Sequence, residues 1–465
     1  MNRFSAREHV PSILVATLSS AFGVALLQGT NALAMVIAAD AMFGASATVA
    51  IALAAVALVF IAIATYVGAV VTANTFATII AGRTRTIALL RLIGATARGQ
   101  RESVAREGFL VGIIGAVAGL IIGTAVTIAI IGVGIALDFL PRLAYSFLEP
   151  VILVPMFGVV LTTWIASWVG SRRVLTVSPM QAIGAVQEES VEAAAGHRVR
   201  NTWAVVLNVL GFVLLALGIA AGLINPAGVL IGVIGGMLSF TGVVLGAQWI
   251  MPRALRLVGL MFGRSSSARL AAQNAVRYPQ RSSRTTIGIV IGVTLVTMFG
   301  VAGSSFQSLF DSLLAGEPGS EGASQTILVV VVIFSVLIGF SALIAAVGLV
   351  NNLSLSVIQR TRELGLLRAL GFTARQLRGM IVAESAQLTL GAVLVGVLLG
   401  AFYGWAGAQS MLGSMPGAGG FVPPVVPGVL LAVIVVAAAV LTVVASIAPS
   451  RRATRVSPVV ALAVE

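Results

Sequence analysis

The sequence predicts an all-α polytopic membrane protein: about ten transmembrane helices, arranged as two parallel four-helix units joined by two linker helices. Three observations predict it. Hydrophobic residues make up 58% of the 465-residue chain and charged residues only 9%, against about 25% in an average soluble protein, so there is too little polar surface to cover a water-exposed body. Several apolar runs reach the ~20 residues that a helix needs to cross a bilayer, without the ~10-residue alternating segments of a transmembrane barrel. Finally, two stretches of the chain repeat each other at nearly constant spacing.

The ten spans fall at approximately 12–38, 47–80, 105–137, 150–171, 203–223, 227–250, 286–310, 325–356, 380–408 and 427–448. The second, third, eighth and ninth exceed ~20 residues and are expected to tilt or to project beyond the hydrocarbon as ordinary helix. No signal peptidase site precedes the first, which reads as a retained helix. Every one of the 28 basic residues is arginine, and all but Arg106, at the start of the third span, and Arg142 lie in segments 1–11, 81–104, 172–202, 251–285, 357–379 and 449–465. The positive-inside rule puts those segments and both termini in the cytoplasm. The net charge of +13 then reflects topology. Nucleic-acid binding is a poor alternative, because the arginines follow the membrane boundaries without interleaved aromatics.

Self-comparison carries the domain organisation. At an offset of 277, Arg83–Arg98 (RTRTIALLRLIGATAR) aligns with Arg360–Arg375 (RTRELGLLRALGFTAR) with ten of sixteen residues identical. The register continues: Arg101 meets Arg378, Glu107 meets Glu384, and Gly119 and Gly123 meet Gly396 and Gly400. A second block, SRRVLTVSPMQA at 171–182, matches SRRATRVSPVVA at 450–461. Six crossings separate the matched loops, so both lie on one face and the repeats are parallel. The expected domains are a first unit over 1–185, a cytoplasmic linker with two helices over 186–265, and a second unit over 266–465.

The repeated loop spells a local structure. Leu364, Leu367 and Leu370 recur at helical spacing. Gly371 can take the left-handed conformation that commonly ends a helix. Thr373-Ala-Arg-Gln376 then reads as a capping box opening the next helix. The first copy keeps Gly94 and Thr96 but has Gly99 where the capping glutamine would stand. A short helix, a glycine stop and a capped restart form a rigid joint between two long spans. Two matched copies suit two docking sites; a basic helix resting on anionic lipid is the plainer alternative.

At this point the chain resembles the FtsX-like, MacB-type ABC transporter permeases. The resemblance rests on RTRELGLLRALGFTARQLRGMIVAES (360–385), on NAVRYPQRSSRTTIGIVIG (274–292), and on the ending SRRATRVSPVVAL (450–462). It implies that two ATP-binding subunits dock on this chain, that the loop between the second and third helices of each unit is the coupling helix, and that ATP-driven closure moves the spans. Carried over, the coupling set is Arg83, Arg85, Leu90, Arg91 and Gly94 in the first copy, and Arg360, Arg362, Glu363, Leu367, Arg368 and Gly371 in the second. Thr86 stands where the second copy has Glu363, so the two docking sites should differ in strength. The family often carries a large extracytoplasmic domain, whereas only residues 39–46 and 311–324 are available here, too few to form a core. Recognition of substrate is then left to the transmembrane cavity, the short outer loops or a separate extracytoplasmic partner.

Several features admit two readings. Gly115, Gly119, Gly123 and Gly396, Gly400, Gly404 are four apart and allow close helix approach, either as general packing or at the interface between the halves. Glu107 and Glu384 read as first-turn charges at helix starts or as salt-bridge partners of loop arginines. The outer segments 138–150 and 410–427, rich in aromatics and prolines, read as interfacial anchors or as a substrate portal.

Exclusions narrow the function. Without lysine there is no P-loop of the form G-x-x-x-x-G-K-[ST], so ATP and Mg belong to a partner ATPase, and no cofactor or metal is expected in this chain. Cysteine is absent as well, which removes disulfides and thiol chemistry. His9 and His197 have no ligand spacing, and no catalytic constellation suggests an enzyme. An ion-coupled secondary transporter would place ionisable groups within its bundle, and none is expected deep within any span. The expected function is therefore an ATP-driven permease exporting or extracting a hydrophobic or amphipathic substrate. The alternative within the family is a permease that relays hydrolysis to an external cell-wall enzyme.

Overall fold

The computed structural model describes residues 6–39, 94–138, 140–171, 198–261, 279–314, 371–415 and 419–455, together with 58–59, 62–63, 65–70, 73, 89–90, 273, 276–277 and 339. Its helices are α1 (Ala6–Ala39), α2 (Ala97–Ala136), α3 (Leu153–Gly170, entered through a 3-10 turn at Pro150–Ile152), α4 (Arg198–Gly222), α5 (Gly228–Leu245), α6 (Ala247–Gly259), α7 (Pro279–Leu314), α8 (Ala374–Leu412) and α9 (Gly428–Arg455). Among the described residues, seven helices are long and apolar enough to cross a membrane: α1 to α5, α7 and α8. The chain is thus an all-α multi-pass membrane protein. The second and eighth expected spans lie outside the described residues apart from short helical pieces, the longest at 65–70.

Two helix pairs organise the molecule, and close approach defines both. In the first, α2 lies against α1: a Cβ at Gly123 would stand 2.7 Å from the Ala21 carbonyl oxygen and 3.1 Å from Val24 Cβ. In the second, α8 lies against α7: a Cβ at Gly396 would be 2.8 Å from Val293 Cβ, and one at Gly400 would be 2.5 Å from both the Thr294 carbonyl oxygen and Thr297 Cβ. The contacts are equivalent. An offset of 273 carries Ala21 onto Thr294, Val24 onto Thr297 and the start of α1 at Ala6 onto the start of α7 at Pro279. The glycine stripes therefore pack within each pair, and the four glycines Gly119, Gly123, Gly396 and Gly400 face the preceding described helix of their own half.

The two pairs meet through aromatic and polar contacts. Phe22 of α1 and Phe299 of α7 approach to 6.5 Å between ring centroids. The linker helix α5 bridges the rest. Tyr66, in the described part of the second span, hydrogen-bonds through its hydroxyl to the Met237 carbonyl at 2.9 Å and to Thr241 Oγ1 at 2.8 Å. Two residues along, Ser239 shares a 2.7 Å bond with the Tyr403 hydroxyl of α8. Phe240 lies edge-on to both tyrosines, at 6.4 and 6.2 Å. One helix thus holds a residue from each half. α5 also forms a hairpin with α4, so close that a Cβ at Gly235 would be 2.6 Å from the Leu215 nitrogen. The hairpin turn is set by Asn225, whose side-chain oxygen accepts from Ala227 N at 2.9 Å.

The sequence reading ends the sixth span at 250 and treats 251–285 as loop. The structure instead breaks the chain at Gly246 and forms α6, thirteen residues long. Ala247, Met251, Ala254, Leu255 and Val258 recur at helical spacing and are all buried. Leu255 and Met251 are at 0% and 1% exposure. Ser283 of α7 donates to the Ala247 carbonyl at 3.0 Å, and Gln387 of α8 donates to the Leu255 carbonyl at 2.8 Å. This helix is a wedge against the second pair.

Both outer segments are fastened by side-chain amides. Gln28 of α1 donates to Thr124 Oγ1 at 2.9 Å and to the Phe147 carbonyl at 2.8 Å, while Asn31 Nδ2 reaches Glu149 Oε1 at 2.9 Å. In the other half, Gln409 Nε2 donates to the Gly420 carbonyl at 2.9 Å and its Oε1 accepts from Val422 N at 2.7 Å. Trp405 Nε1 adds a 3.0 Å bond to the Val422 carbonyl. Non-helical backbone at membrane depth needs such partners.

The glycine packing makes a direct prediction. Replacing Gly400→Ala forces α7 and α8 apart and is expected to lower the stability of the purified protein by about 1–3 kcal/mol. The same change at Gly379, in the same helix but with nothing within 4 Å of the added carbon, is expected to be neutral or slightly stabilising. Thermal unfolding of the two variants in one detergent compares them directly.

Candidate functional site

The repeated joint is where the two halves show the same local device. In the first copy, Leu89 and Leu90 are helical, Gly94 takes φ +100°, and Ala95 N donates to the Leu90 carbonyl at 3.0 Å. A positive-φ glycine followed by this six-to-one hydrogen bond is a Schellman stop. Thr96 then caps α2, its side chain accepting from Gly99 N at 3.1 Å. In the second copy, Gly371 takes φ +94° and Thr373 opens α8. Here the cap is reciprocal: Gln376 N donates to Thr373 Oγ1 at 3.2 Å, and Thr373 N donates to Gln376 Oε1 at 3.0 Å. The substitution of Gly99 for a glutamine leaves the first copy with half of this box.

Of the predicted coupling residues, the structure brings Leu90 and Gly94 into one turn and places Gly371 in its counterpart. Leu90 is half-buried, and its neighbour Leu89 is exposed. Arg83, Arg85, Arg91, Arg360, Arg362, Glu363, Leu367 and Arg368 lie outside the described residues.

The capped starts lengthen the helices well beyond the predicted spans. At ~1.5 Å per residue, the 40 residues of α2 extend about 60 Å, roughly twice the hydrocarbon thickness. This corrects one reading of the paired carboxylates. Neither α2 nor α8 has an acid in its first turn, and Glu107 and Glu384 stand about three turns in, where a charge gains little from the helix dipole. Glu384 is buried to 2% exposure and Glu107 half-buried, and both have interaction partners.

The two joints are braced differently. In the first, Arg101 leaves the second turn of α2 and stacks on Trp168 near the end of α3, its guanidinium carbon 3.9 Å from the ring centroid. Such a cation–π contact is worth about 0.5–2 kcal/mol, more as it is desolvated. Arg98 and Glu102 form a 3.3 Å pair at 90% and 63% exposure, which contributes little. In the second joint, Leu377, Met380 and Ile381 are buried at 0%, 2% and 4% exposure, and the α6 wedge packs just beyond them. Sequence reasoning pairs Arg101 with Arg378 but has no means of finding Trp168, 67 positions away. It also passes over Gln28, Tyr66, Gln387, Tyr403 and Gln409, whose signal was available: polar side chains inside apolar spans mark the places where helices or segments are tied together.

These features define a class: a helical membrane protein of two similar halves, each with a positive-φ glycine and a threonine-capped long helix after its arginine-rich loop. Comparison with known proteins makes the class specific. The family described as FtsX-like permease C-terminal matches twice, at residues 58–179 and 324–458, each match containing one joint. The chain belongs to the FtsX-like permease family. Among curated proteins it is similar to the ABC transporter permease YknZ of Bacillus subtilis (strain 168), 30% identical over 144 residues, which are 31% of this chain and 34% of that one. The ABC transporter permease YtrF of the same organism is 28% identical over 150 residues, 30% of this chain and 34% of the relative. An ABC transporter permease of Methanocaldococcus jannaschii is 30% identical over 89 residues, 19% and 22% of the two chains. The similarity thus spans about a third or less of the length of each relative.

The caps predict unequal joints. Thr373→Ala is expected to destabilise the start of α8 by about 1–2 kcal/mol, and Thr96→Ala the start of α2 by no more than about 1 kcal/mol. Gly371→Ala should cost about 1–2 kcal/mol because the left-handed conformation disfavours a Cβ. Hydrogen exchange of the first-turn amides, followed by mass spectrometry, reads each change locally.

Proposed function

We propose that the chain is the transmembrane permease subunit of an ABC transporter, coupling ATP hydrolysis on a separate ATPase to the export or membrane extraction of a hydrophobic or amphipathic substrate. The observation that carries this reading is the duplicated joint. A positive-φ glycine and a threonine cap precede a helix of about 40 residues at matching positions in both halves, and in the first they join it to the helical pair Leu89–Leu90. A push at the short segment is passed into a long, rigid helix, because the cap leaves no frayed turn to absorb it. The names of the relatives support the same reading.

Two ATPase copies would dock on one chain, one at each joint, with ATP and Mg held by the ATPases. Arg83, Arg85, Leu90, Arg91 and Gly94 form the first docking set, and Arg360, Arg362, Glu363, Leu367, Arg368 and Gly371 the second. The arginine-rich end, with both termini, faces the cytoplasm of a bacterial inner membrane. The units occupy residues 1–185 and 266–465, with 186–265 as the linker. The fastened outer segments leave the membrane interior and lipid-facing surfaces as the route for an apolar substrate.

Co-purification with the candidate ATPase tests the proposal. Reversing charge with Arg368→Glu and Glu363→Arg is expected to reduce complex formation and ATPase stimulation at least several-fold, and Arg91→Glu to have a smaller effect. Unchanged binding and stimulation in all three variants would remove the docking role of these loops.

A further inference from the structure

The wedge helix α6 has a second face. Trp249, Arg253, Arg256 and Leu260 follow at intervals of four, three and four, one stripe of a helix, and Leu257 flanks it. The stripe is exposed: Trp249 at 38%, Leu257 at 62%, Leu260 at 84% and the adjoining Met261 at 81%, with both arginines exposed as well. No acidic residue occurs between Ala247 and Met261. Arg253 is held in place by a 2.9 Å bond from Nη1 to the Trp249 carbonyl. At the helix start, Arg200 of α4 donates to Gln248 Oε1.

Only one environment satisfies this face. In water, Leu257, Leu260 and Met261 would form an uncompensated apolar patch. In hydrocarbon, each arginine would cost about 2.5–3.5 kcal/mol. Thirteen residues are also too few to cross a bilayer. The boundary between headgroups and acyl chains accepts all of them, with the indole and leucines buried shallowly and the guanidinium groups among the phosphates. The position agrees, because α6 follows the span α5 after a single turn residue, Gly246, and so begins where that span leaves the membrane.

We propose that this stripe binds the anionic phospholipid of the arginine-bearing leaflet. Charge complementarity selects anionic over zwitterionic headgroups, since two arginines stand without an acid among the apolar anchors. The consequence reaches α8. The opposite face of α6 carries Leu255, whose carbonyl accepts from Gln387 and whose Cδ2 lies 2.7 Å from where a Cβ at Gly391 would stand. Lipid bound on one side of α6 therefore fixes the height of α8 on the other, and with it the second joint.

The full chain, purified in detergent and incubated with equal amounts of phosphatidylglycerol and phosphatidylcholine, provides the test. After partial delipidation, native mass spectrometry reports which lipid is retained. Wild type is expected to prefer phosphatidylglycerol. Arg253→Gln with Arg256→Gln should reduce that preference by roughly tenfold or more, the scale expected for two arginines at a membrane surface. Lysine at both positions should restore most of it. An equal loss from Arg106→Gln, an exposed arginine of α2, would show a general charge effect and overturn the assignment. So would unchanged lipid retention in the double glutamine variant combined with lost ATPase binding, which would mark the stripe as a protein contact. A second measurement covers the case of a poorly folded double variant. Tryptophan quenching by brominated phosphatidylglycerol, taken as the difference between wild type and Trp249→Phe, should exceed that by brominated phosphatidylcholine. Equal quenching would refute selective binding.

Discussion

The close approach of α2 to α1 and of α8 to α7 is the constraint on which the other contacts depend. Lipid tails are as apolar as the side chains they meet, so there is little hydrophobic drive to bring two spans together. Association rests on van der Waals contact and on hydrogen bonds, and both improve steeply as backbones approach. The glycine stripes allow that approach. Gly400 sits so near the Thr294 carbonyl that no side chain fits between, and Gly123 is equally confined by Ala21. Each pair behaves as one rigid object because its two backbones are locked in register along several turns. Phe22 and Phe299 can then meet between the pairs as single bulky contacts, and a displacement applied to α8 is shared with α7.

Tyrosine hydroxyls and side-chain amides tie together places that glycine packing does not reach. Tyr66 and Tyr403 reach α5 from opposite halves, and both hydroxyls find partners on it. A hydroxyl left without a partner at that depth would be costly, so these bonds favour one arrangement of the halves over nearby alternatives. Gln28 and Gln409 do the same for the outer segments, each amide serving two polar partners. Because the outer segments are tied to helices of their own half, relative motion of the halves need not disturb them. The α5 contacts are different: they cross between halves, and any rearrangement of one half against the other must strain or exchange them.

Much of this was legible in the sequence, and the limits have physical causes. Spans are legible because the bilayer imposes a length, and the second cap is legible because Thr373 and Gln376 stand three apart, as reciprocal hydrogen bonds require. The glycine stripes announce close packing but not its partner, since four-residue spacing defines a face and leaves open what meets it; α1 and α7 were found only in three dimensions. Hydropathy places Glu107 and Glu384 near the helix starts, because it marks where a helix enters the membrane and says nothing of how far it continues outside. The caps at Thr96 and Thr373, about three turns earlier, decide that. The α6 wedge escapes sequence reading for a related reason. Its apolar positions follow helical spacing, but two arginines and a proline lower its average hydropathy and disguise it as loop.

The two joints differ for reasons that begin in single residues and end in the surroundings. The first has half a capping box, because Gly99 replaces the glutamine, and is steadied by Arg101 lying on Trp168 at the membrane boundary. The second has the full box and rests on a buried cluster of Leu377, Met380 and Ile381, with α6 wedged beyond it. A cation over an exposed-edge aromatic can slide at small cost, since the attraction varies gently with position over the ring. A buried aliphatic cluster cannot, since displacement opens a void and loses many contacts together. The second joint is therefore braced more firmly than the first, so that, if both receive the proposed ATPase movements, equal pushes would produce unequal movements. The chain is a duplication in sequence whose two joints are held by different physical interactions.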